Sequence, residues 1–599
     1  MSEIIQSKEY YCKTELLDRG WSPEMMVTLL PKSERKKRTV VKKGVKTVLY
    51  FWPVETVLAV EQTPDFSRMA ERAAEKKKHK AQKQQAKLEF RRKVRELSVD
   101  ANPADAYPEA RGISRHFVLH IGPTNSGKTY DAMERLKTAE NGIYLGPLRL
   151  LALEVHDRLT DEGIPCNMIT GEESMLTDGA RITACTIEIL DTEHPYDIAV
   201  IDEAQMIADP FRGWNWTRAL LGVFAREVHV CLAPEAEDIV KAVIDECEYD
   251  DWECVYHERK TPLVFEKAHL TPQSIQQGDA LITFSRRSVL ALVGTLAQYS
   301  IRASAIYGDL PPAARREQVR RFMEGETNAI VSTDAIGMGL NLAIRRIIFV
   351  ESEKFDGKDV RPLLPTEIKQ IAGRAGRYGK YEKGYVTALD QPSLIYSALD
   401  EPVEPVDIAY LGFPERLLSL DRSLMELMQA WKNAPTERFY VKMDLAELEK
   451  MHDYLRENEP ETFFALSKQE LYALLTCSVN IKNLDMMSCW ARYCKEYHEG
   501  ALSFSLPEPT APNSLDLAEW ETEYHCLDLY FQVSHKMHLA CDEDYLHARK
   551  AELENIIDDL LARYRNRQSR RCQFCGRRLR YDANGRVCDD CRRKWLRVQ

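Results

Sequence analysis

Short apolar runs alternate with amphipathic stretches from about residue 114 to residue 395. The runs at 116–121, 197–201, 228–232, 280–284, 329–332 and 347–350 predict buried strands. Helical periodicity fills the intervals, as in parallel sheets covered on both faces. The long connection across 261–279 predicts a boundary between two such lobes, at 114–265 and 266–395. After about 395 the strands fade. Residues 417–431, 444–457, 468–479, 486–497 and 515–562 predict amphipathic helices, with a proline-rich loop at 507–512, so 396–561 reads as an all-helical region.

Upstream of 114 the texture differs. Residues 13–26 predict a helix, a turn at Gly20 and a second helix capped by Ser22 with Pro23 in its first turn. That pattern suits a helix-turn-helix-like module and equally a plain helical hairpin. Residues 67–97 lack Gly and Pro and are rich in Ala, Gln and Lys, which predicts one long exposed helix. Asn102-Pro103 and Tyr107-Pro108 then predict a linker. The expected domains are therefore a small N-terminal module (1–66), a basic helix and linker (67–113), the two lobes, the helical region, and a basic cysteine-bearing tail (562–599).

Charge adds something the periodicity does not. Of the net −11, residues 1–100 carry roughly +9 and residues 562–599 roughly +10, leaving about −30 on the middle. Basic ends on an acidic body suggest nucleic-acid contacts at the appendages, because Lys and Arg on phosphates release counterions. For the Lys76–Lys80 stretch a merely solvated helix explains the charge equally well. No apolar run approaches the roughly 18 residues of a membrane span. The opening residues resemble neither a signal peptide nor a transit peptide, so the expected setting is soluble and cytoplasmic. Eleven of the 15 cysteines are scattered singly, as reduced core residues are.

The first chemical signature is Gly122, Pro123, Thr124, Asn125, Ser126, Gly127, Lys128 and Thr129, which fits G-x-x-x-x-G-K-[ST] directly after a predicted strand and before a helix. Its glycines let backbone N–H groups turn toward phosphate oxygens at a helix N-terminus. Lys128 is placed for the β- and γ-phosphates and Thr129 for Mg²⁺. Asp202 and Glu203 end a predicted strand downstream. Asp202 suits Mg²⁺, and Glu203 suits orienting or deprotonating the attacking water.

The second lobe carries Gln370, Gly373, Arg374 and Arg377, spaced as one face of a helix. Gln370 would face the lytic water and both arginines the γ-phosphate, with Arg377 the preferred arginine finger. Upstream, the glycine-rich segment 332–341 is placed to link the γ-phosphate, at Gly337, to a bound strand. Thr333 would sit on nucleic-acid phosphate and Asp334 near the cleft. A chain holding both sets splits a nucleoside triphosphate between two facing lobes.

In the tail, Cys572 and Cys575, then twelve residues, then Cys588 and Cys591 have the spacing of a structural Cys₄ zinc site. Arginines interleaved with Phe574, Tyr581 and Trp595 suit single-stranded nucleic acid. A zinc-supported protein-docking module is the competing reading.

Taken with Gly146–Glu154, Thr170–Glu173, Cys185–Glu188, Asp202–Gln205 and Ile306–Pro312, these motifs resemble those of superfamily 2 helicases, and specifically the mitochondrial degradosome RNA helicase family with its bacterial relatives. The resemblance spans about 114–561. It implies two RecA-like lobes, ATP with Mg²⁺, and 3′-to-5′ unwinding of RNA duplexes or RNA–DNA hybrids. It also implies that Arg149, Thr170, Thr186 and Thr333 grip the RNA backbone. Ala204 stands where the family carries isoleucine, and the usual Ser-Ala-Thr-like coupling segment is replaced near 232–235. A nuclease or ribonucleoprotein partner would be met through the terminal appendages. A DNA helicase or translocase, and an ATPase that remodels nucleoprotein without unwinding, share every motor motif.

Overall fold

A computed structural model describes residues 9–565 apart from 43–44, 99–101, 268–269, 338–341, 358 and 437. The cysteines Cys572, Cys575, Cys588 and Cys591, and Gly339 of the glycine-rich segment, lie outside the described residues. The chain divides into two compact units, Met1–Glu96 and Leu97–Gln599.

In the first unit, strand β1 (Tyr10–Cys12) leads into helices Lys13–Asp18 and Pro23–Leu29. Gly20, at φ +92°, makes the turn between them, and Ser22 caps the second by accepting from the Met25 N–H at 3.2 Å. An antiparallel hairpin of β2 (Lys36–Lys42) and β3 (Val45–Pro53) follows, with β1 laid along β3. The core is Leu16, Trp21, Met25, Met26, Leu30, Trp52 and Val57. The predicted long helix is present as Pro64–Leu97, but Phe66, Met69, Ala70 and Ala73 pack on this core, so the boundary expected at 66/67 falls inside an element.

The second unit opens on the phosphate-loop lobe. Its strands are β4 (His116–Ile121), β5 (Gly142–Gly146), β6 (Cys166–Ile169), β7 (Ser174–Met175), β8 (Ile182–Thr186), β9 (Tyr196–Ile201), β10 (Ala225–Leu232) and β11 (Asp251–Tyr256). They form one sheet in the order β11-β4-β10-β9-β5-β8-β6-β7, parallel throughout except β6–β7. The central strands are apolar on both faces because helices cover both. Residues 103–111 are no linker. They form a short 3-10 turn and a helix whose Ala104 and Ala110 are fully buried, and the Tyr107 ring fills the space a β-carbon on Gly222 would need.

The second lobe holds β12 (Leu263–Phe265), β13 (Asp279–Ile282), β14 (Ala303–Ile306), β15 (Ala329–Ser332) and β16 (Arg346–Phe349). A small hairpin of β17 (Glu353–Phe355) and β18 (Val360–Pro362) precedes β19 (Gly384–Ala388). The sheet order is β12-β19-β16-β13-β15-β14, all parallel. β12 pairs with β19, so residues 263–265 belong to this sheet and not to the lobe before it.

Beyond 395 the chain is mostly helical, but β20 (Ala409–Leu411) and β21 (Tyr440–Lys442) add a parallel pair. The stretch 515–562 is two helices, Leu517–Lys536 and Glu543–Arg565, with His538 at φ +54° in the turn between them. Helix Leu517–Lys536 is buried nearly all round, and its acids are paired. Glu521 accepts from the Tyr307 hydroxyl at 2.5 Å and meets Arg286 at 2.9 Å, while Asp528 meets Lys550 at 2.5 Å. Removing one partner of such a pair would leave a buried charge uncompensated.

Candidate nucleotide and nucleic-acid site

Strand β4 ends at Ile121 and the chain turns into helix Lys128–Leu136 through Gly122–Gly127. Asn125 (φ +65°) and Gly127 (φ +97°) both take left-handed backbone, which bends successive N–H groups to one side as an anion nest. Gly122 has no alternative, because a β-carbon there would lie 2.5 Å from the His257 carbonyl oxygen. Lys128 is buried and donates from Nζ to the Gly122 carbonyl at 3.1 Å. The Ser126 hydroxyl is buried without a hydrogen-bond partner, an unmade bond that a phosphate oxygen would satisfy. The loop therefore fits a nucleotide's phosphates.

Asp202 sits at the end of β9, 2% exposed. It accepts from the Thr129 hydroxyl at 3.2 Å, the Tyr144 hydroxyl at 3.0 Å and the Glu203 N–H at 2.9 Å. Burial, then the neighbouring Glu203 charge, pushes its pKa up to about 6. A divalent cation at Thr129 and Asp202 would remove that penalty, so the donor set fits Mg²⁺. Glu203 adopts φ +52°, unusual for a residue with a β-carbon, and strain of this kind gathers at working sites. Gln205 bonds the Glu203 carboxylate and accepts from the Ala233 N–H at 3.1 Å. The divergent segment at 232–235 is thus wired to the acid pair through Gln205.

From the second lobe the arginines arrive differently from expectation. Helix Pro365–Ala372 ends at Gly373, so Arg374 and Arg377 follow it in a loop and share no helical face with Gln370. Gly376, at φ +74°, redirects that loop, and Gly373 touches the phosphate loop: a β-carbon there would lie 2.8 Å from Thr124 Cβ. Arg374 donates to the Gly337 carbonyl at 3.0 and 2.7 Å and stands 4.0 Å from Glu203. Gly337 is therefore seen as the anchor of an arginine. Gln370 is half-buried on its helix, packed near Gly337. A cavity of about 1000 Å³ lies between the lobes, lined by residues 124–131 with Asp202, Glu203, His257, Arg374 and Arg377 among others.

Two ties across the lobes were not visible in the motifs. Asn125 donates to the Gly376 carbonyl at 3.1 Å. Arg259, just after β11, donates to the carbonyls of Thr124 (3.1 Å) and Gly373 (2.6 Å), to that of Ala375, and to that of Thr261 (2.6 Å). Burial pushes its pKa down to about 10. One guanidinium thus joins the phosphate loop to the arginine loop. Behind the phosphate loop, His120 bridges His229 at 2.8 Å and His257 at 3.1 Å, and burial holds the pKa of all three low.

The four residues expected on RNA all lie at or just past the C-terminal ends of parallel strands, where open α/β sheets bind ligands. Thr170, Thr186 and Thr333 are each buried, and the Thr170 hydroxyl closes its own turn onto Glu173. Arg149 is held by Glu172 at 3.1 Å, Glu173 at 2.6 Å and Asp528 at 3.4 Å, so it faces carboxylates and the helical region. Among the described residues no group of three or more His, Cys, Asp or Glu is arranged to hold a metal.

Comparison with known proteins places this geometry. A profile described as the DEXQ-box helicase domain of Suv3 matches residues 103–257, and one described as the helicase conserved C-terminal domain matches 265–379. The chain is 36% identical over 478 residues to the ATP-dependent RNA helicase SUV3L, mitochondrial, of Oryza sativa subsp. japonica, covering 76% of this chain and 64% of that relative. It is 36% identical over 502 residues to the ATP-dependent RNA helicase SUV3, mitochondrial, of the same plant, covering 80% and 86%. The chain spans slightly less than two-thirds of the first relative's length. The crystal structure of Escherichia coli DEAH/RHA helicase HrpB is a distant likeness, at 16% identity over 72% of this chain and 60% of that one, with a TM-score of 0.45. Both plant relatives are mitochondrial by name, which overturns the cytoplasmic placement. That expectation rested on a missing targeting pattern, and a missing pattern is not an address.

Proposed function

The chain belongs to the Suv3 helicase family, and from that premise we propose that it is an ATP-dependent helicase unwinding RNA duplexes or RNA–DNA hybrids, moving 3′ to 5′ in RNA metabolism or decay. The observation that carries the reading is the cavity in which Lys128, Asp202, Glu203, Arg374 and Arg377 converge from two lobes. ATP would bind with its phosphates on residues 122–129 and Lys128 on the β- and γ-phosphates. Thr129 and Asp202 would hold Mg²⁺, which neutralises charge on the phosphates. Glu203 would take a proton from the attacking water, with Gln370 helping to orient it. Arg377 would stabilise the charge that develops on the γ-phosphate, and Arg374, anchored on Gly337, would hold the second lobe against Glu203. Arg259 is a positioning residue: its carbonyl bonds keep the arginine loop in register with the phosphate loop.

RNA would run along the strand ends at Thr170, Thr186 and Thr333 and be gripped by its backbone without sequence reading. Arg149 would join that contact once RNA phosphate replaces its carboxylate partners. The deciding experiment compares unwinding of matched tailed RNA and DNA duplexes. RNA, or the hybrid, is expected to be opened faster, and a clear DNA preference sinks the proposal. ATP hydrolysis stimulated by RNA without strand release would assign the chain to nucleoprotein remodelling.

For the tail, Cys572, Cys575, Cys588 and Cys591 would close a structural zinc site, since two C-x-x-C pairs supply four thiolates and leave no open position. Elemental analysis of the purified chain is expected to find one zinc per molecule, lost in a Cys572→Ser, Cys575→Ser variant.

A further inference from the structure

The motor chemistry leaves the Met1–Glu96 unit unused. Its order of elements is a strand, two helices joined by a four-residue turn, and then a long β-hairpin. Two helices joined by a short glycine-bearing turn are the framework of a helix-turn-helix. Among the described residues, β1 pairs with Phe51–Pro53, and no third strand lies along the hairpin beyond Tyr50. At about 3.3 Å per residue, the paired positions Lys36–Lys42 make a two-stranded arm roughly 20 Å long.

The arm is rich in basic residues. Residues 31–53 hold eight Lys and Arg and a single acid, Glu34, which accepts from the Thr56 hydroxyl at 2.5 Å. Lys36, Lys37 and Arg38 are exposed. Lys36 lies 4.0 Å over the Tyr10 ring and Arg35 lies 4.2 Å over the Tyr50 ring, so aromatic faces help hold these cations in place.

The long helix repeats the theme. Every residue from Ala74 to Glu89 is exposed, so this middle stretch of the helix has no buried face, whereas Val94 near its end is buried. A stretch polar all round either bridges solvent or rests on internal ion pairs. Residues 74–89 hold six lysines and only two acids, and Lys76, at the root of the run, reaches Glu24 at the start of helix Pro23–Leu29 across 3.7 Å. The basic run therefore begins beside the second of these two helices. Over residues 1–96, 23 Lys and Arg stand against 13 Asp and Glu. A fold that concentrates like charge on exposed arms is relieved by a polyanion.

We propose that this unit binds the phosphate backbone of duplex nucleic acid, with the hairpin arm and the basic face of the long helix as its two contacts. The exposed positions of helix Pro23–Leu29, Pro23, Glu24, Val27 and Thr28, include no Arg, Lys, Asn or Gln to read a base edge. The contacts proposed are lysines and arginines on phosphates, which carry no sequence information, so this binding is independent of sequence. The unit holds the duplex by electrostatics, with no need of ATP, so it anchors a substrate whatever the motor does to it.

The test measures affinity of the full chain for a blunt RNA duplex of about 20 base pairs, without ATP, over a salt series. Two variants are compared with the parent: Lys36→Ala, Lys37→Ala, Arg38→Ala on the hairpin, and Lys76→Ala, Lys77→Ala, Lys78→Ala, Lys80→Ala on the helix. The second set lies wholly on exposed positions and leaves the core intact. Each is expected to weaken duplex binding about tenfold or more and to flatten the log–log salt slope by about 2–3, while ATPase stimulation by single-stranded RNA stays at the parent level. A Lys36→Arg, Lys37→Arg variant keeps parental affinity. Unchanged affinity and slope in both alanine variants overturns the proposal. So does tighter binding of a polyglutamate peptide than of the duplex, which would assign the surface to an acidic protein. Because no ATP is present, neither outcome depends on the helicase reading.

Discussion

In a Lys128→Ala chain, ATP turnover is expected to fall by at least about 1000-fold, the scale on which a charge aimed at a phosphoryl transition state is felt. Lys128 is buried with its ammonium on the Gly122 carbonyl, in the mouth of a loop whose Ser126 hydroxyl has no partner. Nothing else in the loop carries a positive charge to the phosphates. Removing it leaves the nest of N–H groups intact, so nucleotide binding should weaken while the fold persists. The measurement is steady-state hydrolysis at saturating RNA, with thermal unfolding of the same preparation as the control for folding. Turnover near the parental rate would mean that the phosphates lie elsewhere, and the whole site assignment would go with them. The helicase, translocase and remodelling readings all predict the loss, so this experiment tests the site and not the choice among them.

How much of that site could be read in advance depended on how local its geometry is. Residues 122–129 were legible because one strand, one loop and one helix build the nest, and the spacing of Gly122, Gly127 and Lys128 carries the whole of it. Asp202 and Glu203 were legible for the same reason, at the end of an apolar strand. The arginines were legible as residues and misread as geometry. Helical spacing put Arg374 and Arg377 on one face with Gln370, yet Gly373 ends the helix and Gly376 turns the loop. Arg259 was invisible, since its partners are backbone carbonyls, three of them more than 100 positions away. A side chain that bonds only to main chain leaves no covarying residue type and no spacing to notice. The break in the last helical run was hidden as well, because residues 537–542 contain neither Gly nor Pro. The hairpin in the first unit was missed because its first strand does not alternate: Lys36, Lys37 and Arg38 are consecutive and all exposed.

The other large effect separates chemistry from positioning on the arginine loop. Arg377→Ala is expected to lower kcat about 1000-fold while leaving ADP affinity close to parental, because ADP lacks the phosphate that an arginine finger addresses. Arg259→Ala acts on the same loop from behind. It loses bonds from a charged donor to carbonyls on both lobes, each worth about 1.5–3 kcal/mol. Since about 1.4 kcal/mol is a tenfold change in rate, a loss of roughly ten- to hundredfold is expected if only part of that bonding acts on the transition state. ADP binding should weaken too, because the Thr124 carbonyl that Arg259 holds belongs to the phosphate loop. The two variants therefore differ in pattern as well as size: one spares ADP and the other does not. If Arg377→Ala loses ADP affinity in step with kcat, Arg377 is holding the loop together and the finger is Arg374, whose distance of 4.0 Å from Glu203 already places it at the acid pair. If Arg259→Ala matches the parent in both measurements, the lobes are registered by the Asn125 bond to the Gly376 carbonyl, and Arg259 is only packing.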